Sequence, residues 1–385
     1  LGSLWTDSLH LAKAWSWMIT QPGFALIMAL PIMHVLSLLH KEDKLYGVRI
    51  EAPTPLVLRM WLLGIITGIL CTGIFATWTW NVHLSEVYLI WGMTFLFSLF
   101  GIRFACIAYS VGILSVCSLL VNQIGSVPLT APWGQWWEIL HRFSMEEWLI
   151  LVGLLHIMEG ILIRLDGASG IHPVQTKHRD GKQVNGFLLA KGWPVPLMLT
   201  SQVGWLPLPV FLSYSLVNLS KSNERQRRLA STLTILYGFS VLLVLYFLSE
   251  QVIGKWLSTL WVIGGHEGIY QWSRWNEHRK EPMYVSDTNG IRVLAVHPNS
   301  PAQVMGIRTG DIIQRINGVV IQSMQDIEEA TQRSATCKCE VLDRNMNRHM
   351  MQKALYENDP RNLGVVGATM IDPPDFQSKR AMQTN

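Results

Sequence analysis

A helical, many-spanning membrane region followed by one small α+β domain is the fold class this sequence predicts. Three observations carry that expectation. Apolar residues make up 49% of the 385 and charged residues only 15%, against about 25% charge in an ordinary soluble domain. Apolar runs long enough to cross a bilayer recur through residues 1–281, and from residue 282 the pattern changes to short β-rich segments separated by turn residues. The expected division is an all-α polytopic region of about six to eight spans over 1–281, a small α+β domain over 282–370, and a polar, disordered tail over 371–385.

Crossing about 30 Å of hydrocarbon takes roughly 20 mainly apolar helical residues. The stretches 23–39, 56–77, 87–101, 105–121, 148–163, 229–248 and 252–264 are the candidates, with 4–19 an ambiguous further segment. Residues 187–217 are also apolar but are interrupted by Pro194, Pro196, Pro207 and Pro209. They read as a re-entrant hairpin or one kinked span, because broken backbone at membrane depth must be satisfied by protein or water. The 17 Trp residues suit headgroup level, where one edge of an indole is wet and the rest apolar.

The cations give orientation. Lys41, Lys44 and Arg49 mark one cytoplasmic connection, Arg103 a second, Lys177, Arg179, Lys182 and Lys191 a third, and Arg225, Arg227 and Arg228 a fourth. Arg274, Arg279 and Lys280 follow the last apolar run and put the C-terminal domain in the cytoplasm too. With seven spans the N-terminus is external, and with one segment more or fewer it is internal. The first apolar run has no small-x-small exit and leads into a charged loop, so it is not read as a cleavable signal. The chain opens on Leu1 rather than Met, so its native start is expected upstream or at a non-standard codon.

A net charge of +4, concentrated in short loops, calls for a lipid surface and not for nucleic acid. Cys71, Cys106 and Cys117 lie in apolar runs, and Cys337 and Cys339 share one face of a strand-like stretch. No pair of cysteine pairs has zinc-site or disulfide spacing, so neither a metal nor any cofactor is expected, and a reducing compartment suits the thiols. Asp180-Gly181 between extended residues signals a basic hairpin that faces anionic lipid or an acidic partner, or is simply a solvated connection.

Two polar pairs could be chemical. His156 and Glu159 lie one turn apart on the fifth apolar run, where an ionisable group is costly. They read as a hydrogen bond pinning helices, as a proton or ion path, or as metal ligands. His266-Glu267 and Asp166 in Leu165-Asp166-Gly167 invite comparison with intramembrane zinc proteases, which use a His-Glu-x-x-His helix and a distant aspartate. Tyr270 stands where the second histidine is required, so the zinc loses a ligand and the glutamate has no bound water to activate. The aspartate also precedes the His-Glu pair. No catalytic residues are therefore assigned, and the chain is not expected to be an enzyme.

In the C-terminal domain, 290–296 reads as a strand, Ser300 as a helix N-cap, Pro301 as the first helical residue and Gly306 as the stop. A second strand follows at 311–316, Asn317-Gly318 is a tight turn, and Ser323 with Asp326 is a capping-box pattern. Ser300-Pro301-Ala302, Gly306, Gly310-Asp311-Ile312-Ile313 and Asn317-Gly318 together resemble the circularly permuted PDZ domain of secreted bacterial proteases. That resemblance implies capture of an extended C-terminus as an added strand, with backbone N–H groups holding its carboxylate. Ile327, Ala330 and Thr331 are the groove candidates on the helical wall. Two segments compete for the receiving strand: Met283-Tyr284-Val285, and Leu363-Gly364-Val365-Val366, whose Leu-Gly pair resembles the family's carboxylate loop. The second could instead be a strand that only completes the sheet.

A polytopic region followed by a single PDZ domain resembles the MinJ family of Gram-positive bacteria. The segments that carry the resemblance are His156-Ile157-Met158-Glu159-Gly160, the 177–187 hairpin running into Trp193-Pro194-Val195-Pro196-Leu197, and the junction from His266-Glu267 to Arg279-Lys280-Glu281-Pro282. It implies a scaffold at septum and poles that bridges the marker protein DivIVA and the division inhibitor MinD, with six spans and both termini cytoplasmic. Two other readings compete: a degenerate relative of the intramembrane proteases, and a transporter or sensor in which Glu159 binds an ion and the PDZ domain regulates.

Overall fold

The computed structural model describes residues 2–46, 52–125, 127–179, 181–202, 204–286, 289–332 and 334–368, with side chains from His10 onward. The expected tail, Asp180 and Arg49 lie outside those residues. The chain opens with helices α1 (Gly2–Thr20), α2 (Pro22–Tyr46) and α3 (Pro53–Phe75), a two-residue strand β1 (Thr79–Trp80), and α4 (Leu84–Ser98). A 3-10 turn at Ile102–Ala105 leads into α5 (Ile107–Ile124), α6 (Trp133–His141) and α7 (Met145–Asp166). Strands β2 (His172–Lys177), β3 (Gln183–Ser201) and β4 (Gly204–Asn218) follow, then α8 (Asn223–Leu248) and α9 (Val252–Arg279).

Among the described residues, α2, α3, α5, α7 and α8 are long and apolar enough to cross a membrane. Helix α4 has 15 residues, about 22 Å at the helical rise and short of the hydrocarbon thickness. Helix α9 has 28 but turns polar in its second half. Adding α4 and α9 returns the seven stretches read from the sequence. Leu58, Leu62 and Ile69 on α3 and Phe239, Leu243 and Phe247 on α8 stay exposed, as side chains facing lipid would.

The region is mostly helical rather than all-α. The proline-broken stretch is a hairpin, as one of its two readings had it, but one built of strands. Its register explains the prolines. Pro196 pairs with Pro209, flanked by Pro194 with Phe211 and Met198 with Pro207. A pair of prolines has no N–H to exchange, so these are the non-hydrogen-bonded pairs and their backbone groups point out of the ribbon. Proline there removes donors that the apolar surroundings could not satisfy.

Two of the groups that remain on those edges find side-chain partners. Met198 N–H donates to Thr72 Oγ1 at 3.0 Å, and Trp91 Nε1 donates to Pro209 O at 3.0 Å. The carbonyls of Pro194 and Pro196 lie so close to Gly64 and Gly68 that a Cβ on either glycine would come within 2.1 Å. Glycines at this spacing thus let α3 lie along a strand edge, as they elsewhere let two membrane helices meet. Lys191, expected in a cytoplasmic loop, is instead buried at 1% exposure within β3.

The β2–β3 hairpin signalled by Asp180-Gly181 forms, with Lys177 paired to Gln183 and His178 N–H donating to Lys182 O at 2.8 Å. Helices α7 and α8 pack through Gly153, Gly160 and Gly238, each backed against the other helix. Ser231 Oγ donates to Gly160 O at 2.8 Å across that contact.

The C-terminal domain contains β5 (Ile291–Val296), α10 (Pro301–Met305), β6 (Ile312–Ile316), β7 (Val319–Val320), α11 (Met324–Gln332), β8 (Thr336–Leu342), β9 (Arg348–Ala354) and β10 (Val365–Gly367). The main sheet order is β10-β5-β6-β8-β9, with β7 paired to β6. The cap residues do what their chemistry suggests. Ser300 accepts from Gln303 N–H, and Gly306 ends α10 at φ 85°. Ser323 Oγ accepts from Asp326 N–H while Asp326 accepts from Ser323 N–H. Val293, Ile313, Ile316, Ile327 and Val365 share one core, while Leu294, Ala295, Val366 and Ala368 join the apolar cluster of the membrane region. The opposite face of β5 and β10 is therefore docked and not solvated.

Candidate functional site

Inside the helices, α7 and α9 bring the two polar pairs read from the sequence to one place. His156 and Glu159 are 0% and 3% exposed. The His156 and His266 rings lie 5.4 Å apart, and Tyr109 and Tyr237 each stand edge-on to one of them at 4.9 Å. Cys106, the N-cap residue of α5, places its Sγ 3.3 Å from His156 Nε2. His156, His266, Tyr109 and Tyr237 border a cavity of about 70 Å³ that Glu159 and Tyr214 also line.

In the neighbouring His-Glu pair the glutamate is already engaged. Glu267 accepts from Tyr109 Oη at 2.6 Å and from Gln271 at 2.6 Å, and pairs with Arg103 at 3.2 Å. Arg103 in turn lies over the Tyr270 ring at 3.9 Å. Arg103 lies in the turn between α4 and α5, where the sequence places a loop cation, and from there it reaches inward to these partners. Asp166 is engaged elsewhere, with Arg59 at 2.5 Å and with Trp193 Nε1 donating to it at 3.1 Å.

The second candidate site is the edge of the C-terminal sheet. β10 pairs with β5 on one side, Val365 opposite Val296, and ends the sheet order on the other. Met324 of α11 packs on Gly367 at that end, and Ile327, Ala330 and Val365 belong to one core. Thr331 donates to Arg361 O at 2.5 Å, which ties α11 to the loop before β10. Ile327, Ala330 and Thr331 are thus buried supports of the wall, while Met324 is its partly open residue.

The Leu-Gly loop is folded around its own groups. Leu363 and Gly364 are both left-handed, at φ 58° and 74°. Their carbonyls accept from Ala302 N–H and His297 N–H at 3.0 and 2.8 Å. Leu363 N–H donates to Pro360 O, Val365 N–H to Asn362 O, and Gly364 N–H to Asn362 Oδ1 at 3.0 Å. The N–H groups of Leu363, Gly364 and Val365 are therefore all taken, the middle one by a side-chain oxygen.

Met283-Tyr284-Val285 is not part of this edge. Tyr284 bridges to Asn185 in the membrane-region sheet, and Met283 N–H donates to Leu219 O at 2.8 Å. The apolar Met-Tyr pair is drawn onto the larger core, where Tyr284 packs 4.6 Å from Phe187, ring centre to ring centre.

A family model described as PDZ domain matches residues 292–341. "Cell division topological determinant MinJ" of Bacillus subtilis (strain 168) is 24% identical over 241 residues, covering 56% of this chain and 60% of that protein. "Probable cell division topological determinant MinJ" of Lacticaseibacillus paracasei is 22% identical over 368 residues, covering 89% of this chain and 94% of that one. The protein of the same name from Lacticaseibacillus casei (strain BD-II) matches to the same extent. The chain is MinJ-like and carries a PDZ domain. The alignment spans less than two thirds of the Bacillus subtilis relative's own length. No solved structure matches this chain.

In this MinJ-like chain four participants are not singled out by the sequence as members of these sites. Cys106, Tyr109 and Tyr237 join the histidines only through the helix packing, and nothing local marks them. Asn362 did carry a signal, since an asparagine just before a left-handed Leu-Gly pair is placed to fold back on the next N–H groups.

Proposed function

We propose that this chain is a membrane-anchored PDZ scaffold that helps place the division site, linking a polar or septal marker of the DivIVA type to a division inhibitor of the MinD type. The observation that carries the reading is β10, an edge strand beside α11 that begins at a Leu-Gly loop. Such an edge takes an extended peptide by strand addition. Similarity to the two Lacticaseibacillus relatives over 89% of the chain supports division-site placement. Arg225, Arg227 and Arg228 in the first turns of α8, and Arg274 and Arg279 near the end of α9, favour a cytoplasmic PDZ domain.

The work required is confinement and capture, not bond chemistry. Membrane anchoring restricts the scaffold to two dimensions, and several weak contacts acting together strengthen docking beyond any one of them. Co-purification from the native cell tests the partner assignment. The wild-type chain should bring down the marker and inhibitor, and Gly364→Ala should lose one of them. Equal recovery of both from a chain lacking residues 282–370 contradicts a PDZ-mediated link.

A further inference from the structure

The polar cluster between α5, α7 and α9 plays no part in peptide capture. Cys106 Sγ and one ring nitrogen each of His156 and His266 all lie within 4.8 Å of one another. Each comes from a different element: the N-cap of α5, the middle of α7 and the middle of α9. His156 Nδ1 donates to Val152 O at 2.7 Å, which leaves the Nε2 lone pair aimed at Cys106. That is how a carbonyl orients a metal-bound imidazole.

Two further atoms point to a ligand. Glu159 Oε2 and His266 Nδ1 are buried with no hydrogen-bond partner among the described residues, and both residues line the cavity next to the cluster. A buried carboxylate oxygen without a partner is costly, above all in a membrane protein. A dication relieves it.

We propose that Cys106, His156 and His266 form a divalent transition-metal site that staples the three helices, with zinc the ion that one thiolate and two imidazoles suit best. The fourth coordination position faces the cavity, with Glu159 beside it. Binding displaces two protons to solvent, one from the Cys106 thiol and one from the buried Glu159 carboxyl. The thiolate and the Glu159 carboxylate then balance the charge of the ion, so the loaded cluster is neutral within the bundle.

Cobalt(II) reports directly on this site, because a thiolate-bound cobalt ion absorbs through a sulfur-to-metal charge-transfer band. The full chain in detergent, stripped with a chelator, is titrated with Co²⁺. The expected result is a charge-transfer band that saturates at one ion per chain and bleaches when Zn²⁺ is added. Cys106→Ser should remove the band, and His156→Ala and His266→Ala should each weaken binding at least tenfold. Cys337 and Cys339, with sulfurs 3.3 Å apart, are the competing thiols, so the double variant Cys337→Ser/Cys339→Ser should keep the band. No band in the wild-type chain overturns the proposal, as does a band that survives Cys106→Ser or disappears in the double variant. The wild-type titration does not depend on any variant folding.

Discussion

Asn362 folds back onto the Leu-Gly loop that the proposed function assigns to a peptide's carboxylate. Its Oδ1 accepts from Gly364 N–H at 3.0 Å, so an incoming C-terminus must displace it. A neutral hydrogen bond is worth about 0.5–1.5 kcal/mol net. Asn362→Ala is therefore expected to raise affinity for C-terminal peptides by up to about tenfold, read by fluorescence anisotropy on the full chain. Unchanged or weaker binding means the loop is not a carboxylate cradle. Gly364 acts in the opposite sense. A Cβ there would come within 2.2 Å of Ser300 Cβ, at φ 74°, so Gly364→Ala should abolish binding in the same assay.

Asp326 gives the PDZ domain a pH dependence of known sign. Its carboxylate accepts from Gln322 N–H and Ser323 N–H, both at 2.8 Å, and these bonds hold its pKa below the ordinary carboxylate range. A depressed folded pKa contributes stability above the unfolded value of about 3.9, and that contribution is lost as pH falls through the folded value. Asp343, held down to about 2 chiefly by Asn347 N–H, and Asp359, lowered chiefly by Tyr356 N–H, act in the same direction. Amide protection factors in α11, which correct for the slower intrinsic exchange in acid, should fall below about pH 4, and Asp326→Asn should remove part of that fall. Removing the other half of the capping box, Ser323→Ala, should cost about 1 kcal/mol at neutral pH.

At the scale of the element, the unusual part is the hairpin of β3 and β4. Pro196→Ala introduces an N–H on the edge facing α3, where Gly68 lies against the backbone. Losing a proline would ordinarily be mild at an edge, but a buried unpaired donor costs about 1–3 kcal/mol. A lowered melting temperature in detergent is the expected outcome, and unchanged melting would show that the edge is wet. Gly68→Leu should be worse, because its side chain has no space beside Pro196 O.

This hairpin marks the limit of what the residues alone revealed. Ser300, Pro301, Gly306 and the Ser323–Asp326 box were legible because caps and turns are decided within a few residues. Residues 187–217 are buried on nearly every side, so they lack the alternation that identifies a half-exposed strand. Their prolines therefore looked like breaks in a helix. The meeting of Cys106, His156 and His266 was illegible for another reason: it is made by the packing of three separate helices, and no spacing encodes it.

For the whole molecule, the docked face of the PDZ domain matters most. Leu294 and Val366 join the membrane-region core while Val293 and Val365 fill the domain's own. The strand that would receive a peptide is thus fixed against the membrane part on one face, so its edge is held at a set orientation. Replacing both docked residues, Leu294→Asp with Val366→Asp, should release the domain and speed proteolysis of the 280–290 junction without unfolding the helices.

If the chain holds its PDZ edge at the membrane to place the division site, a fluorescent fusion expressed at native level in the cell of origin should gather at new septa and poles, Gly364→Ala should weaken this pattern, and removing the gene should lengthen the cells. Even distribution around the membrane, with normal cell length when the gene is absent, would contradict it.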